Sequence, residues 1–460
     1  MRIKYFLFFV AALMSGACEE KSEHAVIELN IADAELDQVV FYNKVDMRYN
    51  HVTNVKDQQY VIENVDGAEI IQFQATSNQI PIFVQPGTNV SVSKNAGSGF
   101  EIVSTDNEEQ QLLEEFDKQM SIASAKYGLP NLSNLEPVEF QEQLQKKYAK
   151  THQLLIQAKQ EGVATGLISI LRARMMADKV RSVINYPNYY EYLNKQQPNL
   201  PDDFYQVVED FDINDEKAYY FDEAWLTAAE VVTRESDYAS YDDVEEIYID
   251  QYQKLDENIS NEKVKELVQY QILTNKINYG GGIGKLGPQI KDFIHNAKDE
   301  RRINELNLAM DKWAHLEKGL QAPDFVAYDR NGKAVRLSDL QGKNVYIDVW
   351  ATWCGPCIAE IPALKSMEEK YHDENVAFVS VSIDEQRDRE KWKKMIEARD
   401  LGGIQIIAEN NWKSEIAQKY NISSIPRFMM IDAEGQIVSA NAPRPSDSKG
   451  FNHMLAEVLD

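Results

Sequence analysis

Two cysteines two residues apart, Cys354 and Cys357, lie between a strand-like run and a helix-like run, and that placement restricts the fold more than any other feature of the chain. The apolar run Asn344-Val345-Tyr346-Ile347-Asp348-Val349 leads to Trp353-Cys354-Gly355-Pro356-Cys357, and a helical pattern begins near Ile358. At a strand-to-helix turn such a pair can close a small disulfide. The first thiol then sits where the helix's unpaired N–H groups and positive dipole end favour a thiolate. The same spacing is also half of a zinc site. Zinc takes about four ligands, whereas the chain has three cysteines in all and no His-x3-His array. Its seven histidines are scattered, with no pair at a ligand spacing, so no metal is expected. Redox chemistry is the stronger reading. A purely structural bond is the weaker one, because a loop this short gains little chain entropy from closure.

The third cysteine, Cys18, has a different setting. Arg2 and Lys4 precede an apolar run from Tyr5 to Met14, which ends in Ser15-Gly16-Ala17-Cys18 and the polar Glu19-Glu20-Lys21. The run is too short to span a bilayer and reads as a signal peptide over residues 1–17. Cys18 resembles the cysteine of a bacterial lipobox, which becomes the lipidated first residue, although Ser15 stands where leucine is usual. Ser15 and Ala17 also fit an ordinary small-x-small cleavage site, which would leave Cys18 as a free thiol. Both alternatives put the mature protein in the periplasm or cell envelope, touching membrane only through a lipid at Cys18. Cys354 and Cys357 are then the redox pair.

The formal net charge is −26. Residues 322–460 carry 17 basic and 22 acidic residues, whereas the short stretch 202–262 alone carries 20 acidic and 3 basic ones. Such a balance disfavours nucleic acid and anionic membrane surfaces as partners. The acidic stretch reads either as a solvated helix surface or as a dock for a basic client.

Residues 18–105 are expected to form a small antiparallel β domain. Its runs alternate with period two, as in Val26-Ile27-Glu28-Leu29-Asn30-Ile31, and turn signals such as Pro86-Gly87 separate them. The stretch Phe83 to Val90 is similar to a β-module of unknown function found ahead of extracytoplasmic thioredoxin domains. From 106 to 320 the period becomes helical, with Leu112, Leu113 and Phe116, then Leu167, Ile170, Leu171 and Met175, at three- and four-residue spacing. Pro187, Pro198, Pro201 and the glycines at Gly280 are expected to divide this region into about eight helices. Gly280-Gly281-Gly282-Ile283-Gly284-Lys285 does not make a phosphate loop, because Leu286 follows the lysine and no strand precedes it. It reads as a flexible connector.

From Ala322 the chain resembles the TlpA/ResA-like thiol-disulfide oxidoreductases of the thioredoxin superfamily, so a thioredoxin-like α/β domain is expected over residues 321–460. The resemblance is carried by an ordered set of motifs. Ala322-Pro323-Asp324-Phe325 opens it, Leu337 to Lys343 leads into the central strand, and Val349 to Cys357 holds the cysteines. Glu360 and Pro362 follow, then the strand-like Val376 to Asp384, and Ile425-Pro426 ahead of Arg427-Phe428-Met429-Met430-Ile431-Asp432. Alternating strands and helices argue independently for an α/β sheet.

Exchange chemistry assigns the roles. Cys354, exposed at the helix N-terminus, attacks a client disulfide, and Cys357, one turn deeper, resolves the mixed disulfide. No cofactor is needed beyond the Cys354–Cys357 disulfide itself. The resemblance implies that Pro426 is the cis-proline facing the cysteines, so that the backbone of Ile425 pairs with an extended client segment. Trp353, Gly355 and Pro356 complete the client-contacting rim, and Trp350 belongs in the core. Arg427 stands where thioredoxins commonly carry threonine. Asp348 matches the buried aspartate of cytoplasmic thioredoxins, and Glu360 the glutamate of ResA-like relatives. Either carboxylate is a candidate to take the proton from Cys357.

The Gly-Pro dipeptide is thioredoxin's own and points to a reductant of client proteins, recharged by a membrane protein of the DsbD type. Potentials in this superfamily span about −270 to −120 mV, so the dipeptide alone does not set direction. Two rivals stand beside this reading. One is a client-binding lipoprotein whose redox activity is secondary. The other is a thiol peroxidase, disfavoured because Ile347 and Ala351 occupy the proline and threonine positions of the peroxidase motif.

Overall fold

The computed structural model describes residues 24–459 except 32–37, 44, 46–50, 55–58, 63–64, 66, 76–77, 95–98, 222, 237–240 and 242–243. Cys18 and the apolar run before it lie outside the described residues. Packing divides the chain into two compact units, one of residues up to 204 with 217–222, the other of residues 205–216 with 223–460. The helices of the middle region are thus shared between the units.

The first unit begins with eight strands: β1 (Ala25–Asn30), β2 (Gln38–Tyr42), β3 (His51–Asn54), β4 (Gln59–Ile62), β5 (Glu69–Ala75), β6 (Asn78–Val84), β7 (Asn89–Lys94) and β8 (Phe100–Ser104). They form two four-stranded sheets, ordered β4-β1-β7-β8 and β3-β2-β5-β6. The pairing is antiparallel except between β1 and β7, which run parallel. Alternation puts Ile27, Phe41, Phe73, Ile82 and Val92 in one core between the sheets. Four helices follow: α1 (Asn107–Tyr127), α2 (Leu129–Leu132), α3 (Pro137–Glu161) and α4 (Thr165–Asn194). The buried Gln110 of α1 accepts from the Phe83 N–H and donates to the Pro81 carbonyl, covering the edge of β6. Pro187 does not break its helix. It lies inside α4, where it removes a hydrogen bond to the Val183 carbonyl. Tertiary contacts on either side outweigh that loss: Tyr186 stacks on Phe140 at 4.1 Å, and the Tyr190 hydroxyl donates to Glu136 at 2.9 Å.

The second unit opens with α5 (Gln206–Glu209), α6 (Glu223–Val232), α7 (Val244–Asn258), α8 (Glu262–Tyr279), α9 (Gly287–Asn296) and α10 (Glu300–Trp313). The glycine segment after α8 is tied down, contrary to the expected flexible connector. The buried Lys276 ammonium donates to the carbonyls of Gly280 and Gly282 and pairs with Glu245 at 2.9 Å. A Cβ on Gly281, which has φ of 85°, would lie 2.5 Å from the Cβ of Asn441.

The sheet that carries the cysteines comprises β9 (Val326–Asp329), β10 (Ala334–Arg336), β11 (Asn344–Trp350), β12 (Val376–Ser382), β13 (Ile404–Ile407), β14 (Arg427–Ile431) and β15 (Ile437–Ser439). Its helices are α11 (Gly355–Lys370), α12 (Arg389–Arg399), α13 (Glu415–Lys419) and α14 (Ser448–Leu459). Strand order is β10-β9-β13-β12-β11-β14-β15, with β11, β12 and β13 parallel and β14 antiparallel to β11. This is a thioredoxin-like sheet. Every residue of β11 is buried, as an interior strand covered on both faces requires. On one face Val345, Ile347 and Val349 share a core with Trp392 of α12, Ile416 of α13, and Leu273, Phe293 and Trp313 of α8 to α10. On the other, Tyr346 packs with Leu364 and Met367 of α11 and with Phe451 and Leu455 of α14. The helical segment before the sheet therefore extends the sheet's own core.

Candidate active site

The chain leaves β11 at Trp350, turns through Ala351, Thr352 and Trp353, and enters α11 with Cys354 as the N-cap. Asp384 sets that turn. Its carboxylate, fully buried just beyond β12, accepts from the Thr352 N–H at 2.9 Å, the Thr352 hydroxyl at 2.8 Å and the Ser382 hydroxyl at 2.8 Å. In the sequence Asp384 is marked only as the end of a strand-like run. Its partner Thr352 is 32 residues away, and only the parallel pairing of β11 with β12 brings them together.

Cys354 and Cys357 form a disulfide with Cα atoms 5.3 Å apart. The Cys357 N–H donates to the Cys354 sulfur at 3.1 Å, and the Ile358 N–H donates to the Cys354 carbonyl at 3.1 Å. Pro356 stands in the first turn, where its missing N–H costs nothing. The Cys354 sulfur thus receives a first-turn N–H directly, an arrangement that stabilises a thiolate once the bond is opened. The expected exposure of Cys354 does not hold: both cysteines are 4 % exposed. What reaches solvent is the rim around them. Gly355 and Pro356 are exposed, as is Trp353 at 52 %. The Trp353 ring lies 6.3 Å from that of Trp412, which sequence reading did not single out. Trp350 is buried.

The Ile425–Pro426 bond is cis, and both residues are half-exposed. Register places them at the cysteine end of the sheet, because Arg427 pairs with Val349 and the chain continues from there past the end of β11. Arg427 turns inward. It is 2 % exposed, donates to Asn441 at 2.7 Å and lies over the Trp313 ring, so it is not presented on the surface. Burial lowers its pKa to about 10, still charged at neutral pH.

The two candidate carboxylates have different surroundings. Asp348 lies on the face of β11 that α11 covers, is 9 % exposed and accepts a hydrogen bond from Ser380. Desolvation chiefly, with the charges of Glu360 and Glu368, pushes its pKa to about 8. Glu360 is also buried, but both its oxygens are engaged. One accepts from the Ser446 N–H at 3.0 Å, the other from the Ser446 hydroxyl at 2.8 Å, and Arg444 lies 3.8 Å away. It anchors the loop ahead of α14. Among the described residues no group of three His, Cys, Asp or Glu is placed to hold a metal ion, and no helix is long and apolar enough to cross a membrane.

The Redoxin family matches residues 317–455. The thiol-disulfide oxidoreductase ResA of Bacillus subtilis is 28 % identical over 139 residues, which are 30 % of this chain and 75 % of the relative. ResA of Bacillus cereus is 31 % identical over 123 residues, 27 % of this chain and 68 % of that protein. The crystal structure of the thioredoxin domain of a Bacteroides vulgatus thiol-disulfide oxidoreductase is 28 % identical and covers 31 % of this chain and 99 % of its own, with a TM-score of 0.28.

Proposed function

From the premise that this chain belongs, through its C-terminal third, to the ResA-like thiol-disulfide oxidoreductases, we propose that it reduces disulfide bonds of client proteins outside the cytoplasm. The observation that carries this reading is the Cys354 sulfur at the α11 N-terminus, hydrogen-bonded by a first-turn N–H beside the half-exposed Ile425–Pro426.

In the reduced protein the Cys354 thiolate attacks one client sulfur. The other client sulfur leaves as a thiolate and takes a proton, and a mixed disulfide forms. The Cys357 thiol then gives its proton to the Asp348 carboxylate and attacks the Cys354 sulfur. The second client thiolate departs, and the Cys354–Cys357 disulfide re-forms. Two electrons pass to the client, and an external dithiol of the DsbD type restores the pair. A carboxyl with pKa about 8 suits this transfer. At neutral pH most of this carboxyl is protonated, and its ionised fraction accepts the proton of a thiol that ordinarily titrates near about 8.5. Asp348 rather than Glu360 is the better base, since Ser446 occupies both Glu360 oxygens.

Trp353, Gly355, Pro356, Ile425 and Pro426 form the client rim, with Trp412 beside Trp353. Lipidation at Cys18 tethers the mature chain to the cell envelope. The test is reduction of insulin by the purified full chain with a dithiol as electron donor. Cys354→Ser abolishes turnover, and Cys357→Ser accumulates a mixed disulfide with the client. Full turnover by the Cys354→Ser protein would sink the assignment.

A further inference from the structure

Asp348 takes a proton in each cycle and has to release it, yet it is buried beneath α11. Next to it lies a small cavity lined by Asp348, Trp350, Ser380, Gln405 and Glu368 among others. The space is close to what one water needs. Two of its lining residues carry buried polar atoms without a protein partner, the Trp350 indole N–H and the Gln405 side-chain oxygen. One is a donor and the other an acceptor. A water accepting from the one and donating to the other would keep one proton and one lone pair for the carboxyls. Glu368 lines this cavity and also the open hollow on the outer side of α11, together with Lys365, Glu369 and Asp400. The chain makes room for its carboxyl with two glycines. A Cβ on Gly402 would come within 2.5 Å of one Glu368 oxygen, and one on Gly403 within 2.9 Å of the other.

We propose that one water held in this cavity, together with the Glu368 carboxyl, is the exit by which Asp348 returns its proton to bulk solvent. The inference rests on Asp348 being the base for Cys357. The protonated Asp348 gives its proton to the water, which passes one of its own to the Glu368 carboxylate, and Glu368 releases that proton into the hollow. One proton moves, no electron does, and the water is regenerated. Burial raises the pKa of Glu368, in keeping with a group that accepts a proton from Asp348. The charged and titratable groups around the pair are Glu360 and Lys365 on α11, Tyr346 on β11, and Asp400 after α12. β12 and β13 contribute the uncharged Ser380 and Gln405.

The experiment reads the proton itself. The infrared carbonyl band of protonated Asp348, assigned by its loss in Asp348→Asn, shifts when the full-length protein is mixed with heavy water, and the rate of that shift measures exchange with solvent. Glu368→Gln, which keeps the shape and removes the acceptor, should slow the exchange about a hundredfold, the low end of what a positioned proton-transfer group contributes. Gly402→Ala, which crowds the Glu368 carboxyl without replacing any ionisable group, should slow it as well and carries the test if Glu368→Gln does not fold. Exchange at the wild-type rate in a folded Glu368→Gln protein overturns the relay. A pH–rate profile for insulin reduction that Asp348→Asn leaves unchanged overturns instead the assignment of Asp348 as base.

Discussion

Replacing Asp348 with asparagine should stabilise the oxidised protein while slowing its catalysis. Burial chiefly, by penalising the charge, pushes the Asp348 pKa to about 8 in the folded chain from the ordinary aspartate value of 3.8. The sign follows from linkage. Between those two pH values the folded state holds a proton that the unfolded state has lost, so stability falls as pH rises through the window. At about 1.36 kcal/mol for each pH unit, the accumulated penalty at pH 7 is roughly 4 kcal/mol. Asparagine carries no charge in either state and removes that penalty, but it pairs less well with Ser380, at a cost of about 1 kcal/mol. The expected net gain is roughly 3 kcal/mol at pH 7, shrinking to nothing or slightly below as pH approaches 4. All six tryptophans lie at or after Trp225, within the second unit, so their fluorescence in urea reports that unit alone. With a slope near 3 kcal/mol per molar urea the midpoint should rise by about 1 M at pH 7. An unchanged or lower midpoint at pH 7, or a gain that does not shrink on acidification, would refute a desolvated Asp348.

The other predictions concern the turn, the rim and the first unit. Asp384→Asn leaves one acceptor oxygen for three donors on Thr352 and Ser382 and should lower second-unit stability by about 1–3 kcal/mol, read from the same urea midpoint. An unaltered midpoint would show that the clamp on the cysteine turn is energetically idle. Trp353→Ala removes an exposed ring, so it should raise KM for insulin several-fold with the midpoint unchanged; an unchanged KM removes Trp353 from the rim. Pro187→Ala restores the missing hydrogen bond in the middle of α4 and should stabilise the first unit by about 1 kcal/mol, followed by the helical circular dichroism signal. A loss of stability there would mean that the proline ring's packing matters more than the bond it removes.

Much of the active site was legible because it is local. The cysteine spacing, the apolar run before it, Pro356 in the first helical turn and Pro426 ahead of a strand are short-range patterns, and each backbone element follows from the few residues that make it up. Gln110 and Asp384 were not legible, because nothing in their own neighbourhoods names the partners they find on β6 and in the cysteine turn. The glycine segment misled for the same reason. Glycine signals freedom in the chain, and only Lys276 reaching back to its carbonyls removes it.

Residue type, order and spacing were enough for the thioredoxin-like sheet, the pairing of Cys354 with Cys357 and the lack of a second cysteine pair for zinc. Tertiary structure alone decided how the two carboxylates differ. Asp348 and Glu360 look equivalent as letters near a Cys-x-x-Cys, but pairing and helix packing leave one desolvated on β11 and the other held by Ser446, and a carboxyl's proton affinity is set by its surroundings. It also decided that Cys354 is buried while its neighbours Trp353, Gly355 and Pro356 are exposed, since exposure depends on what packs around each side chain.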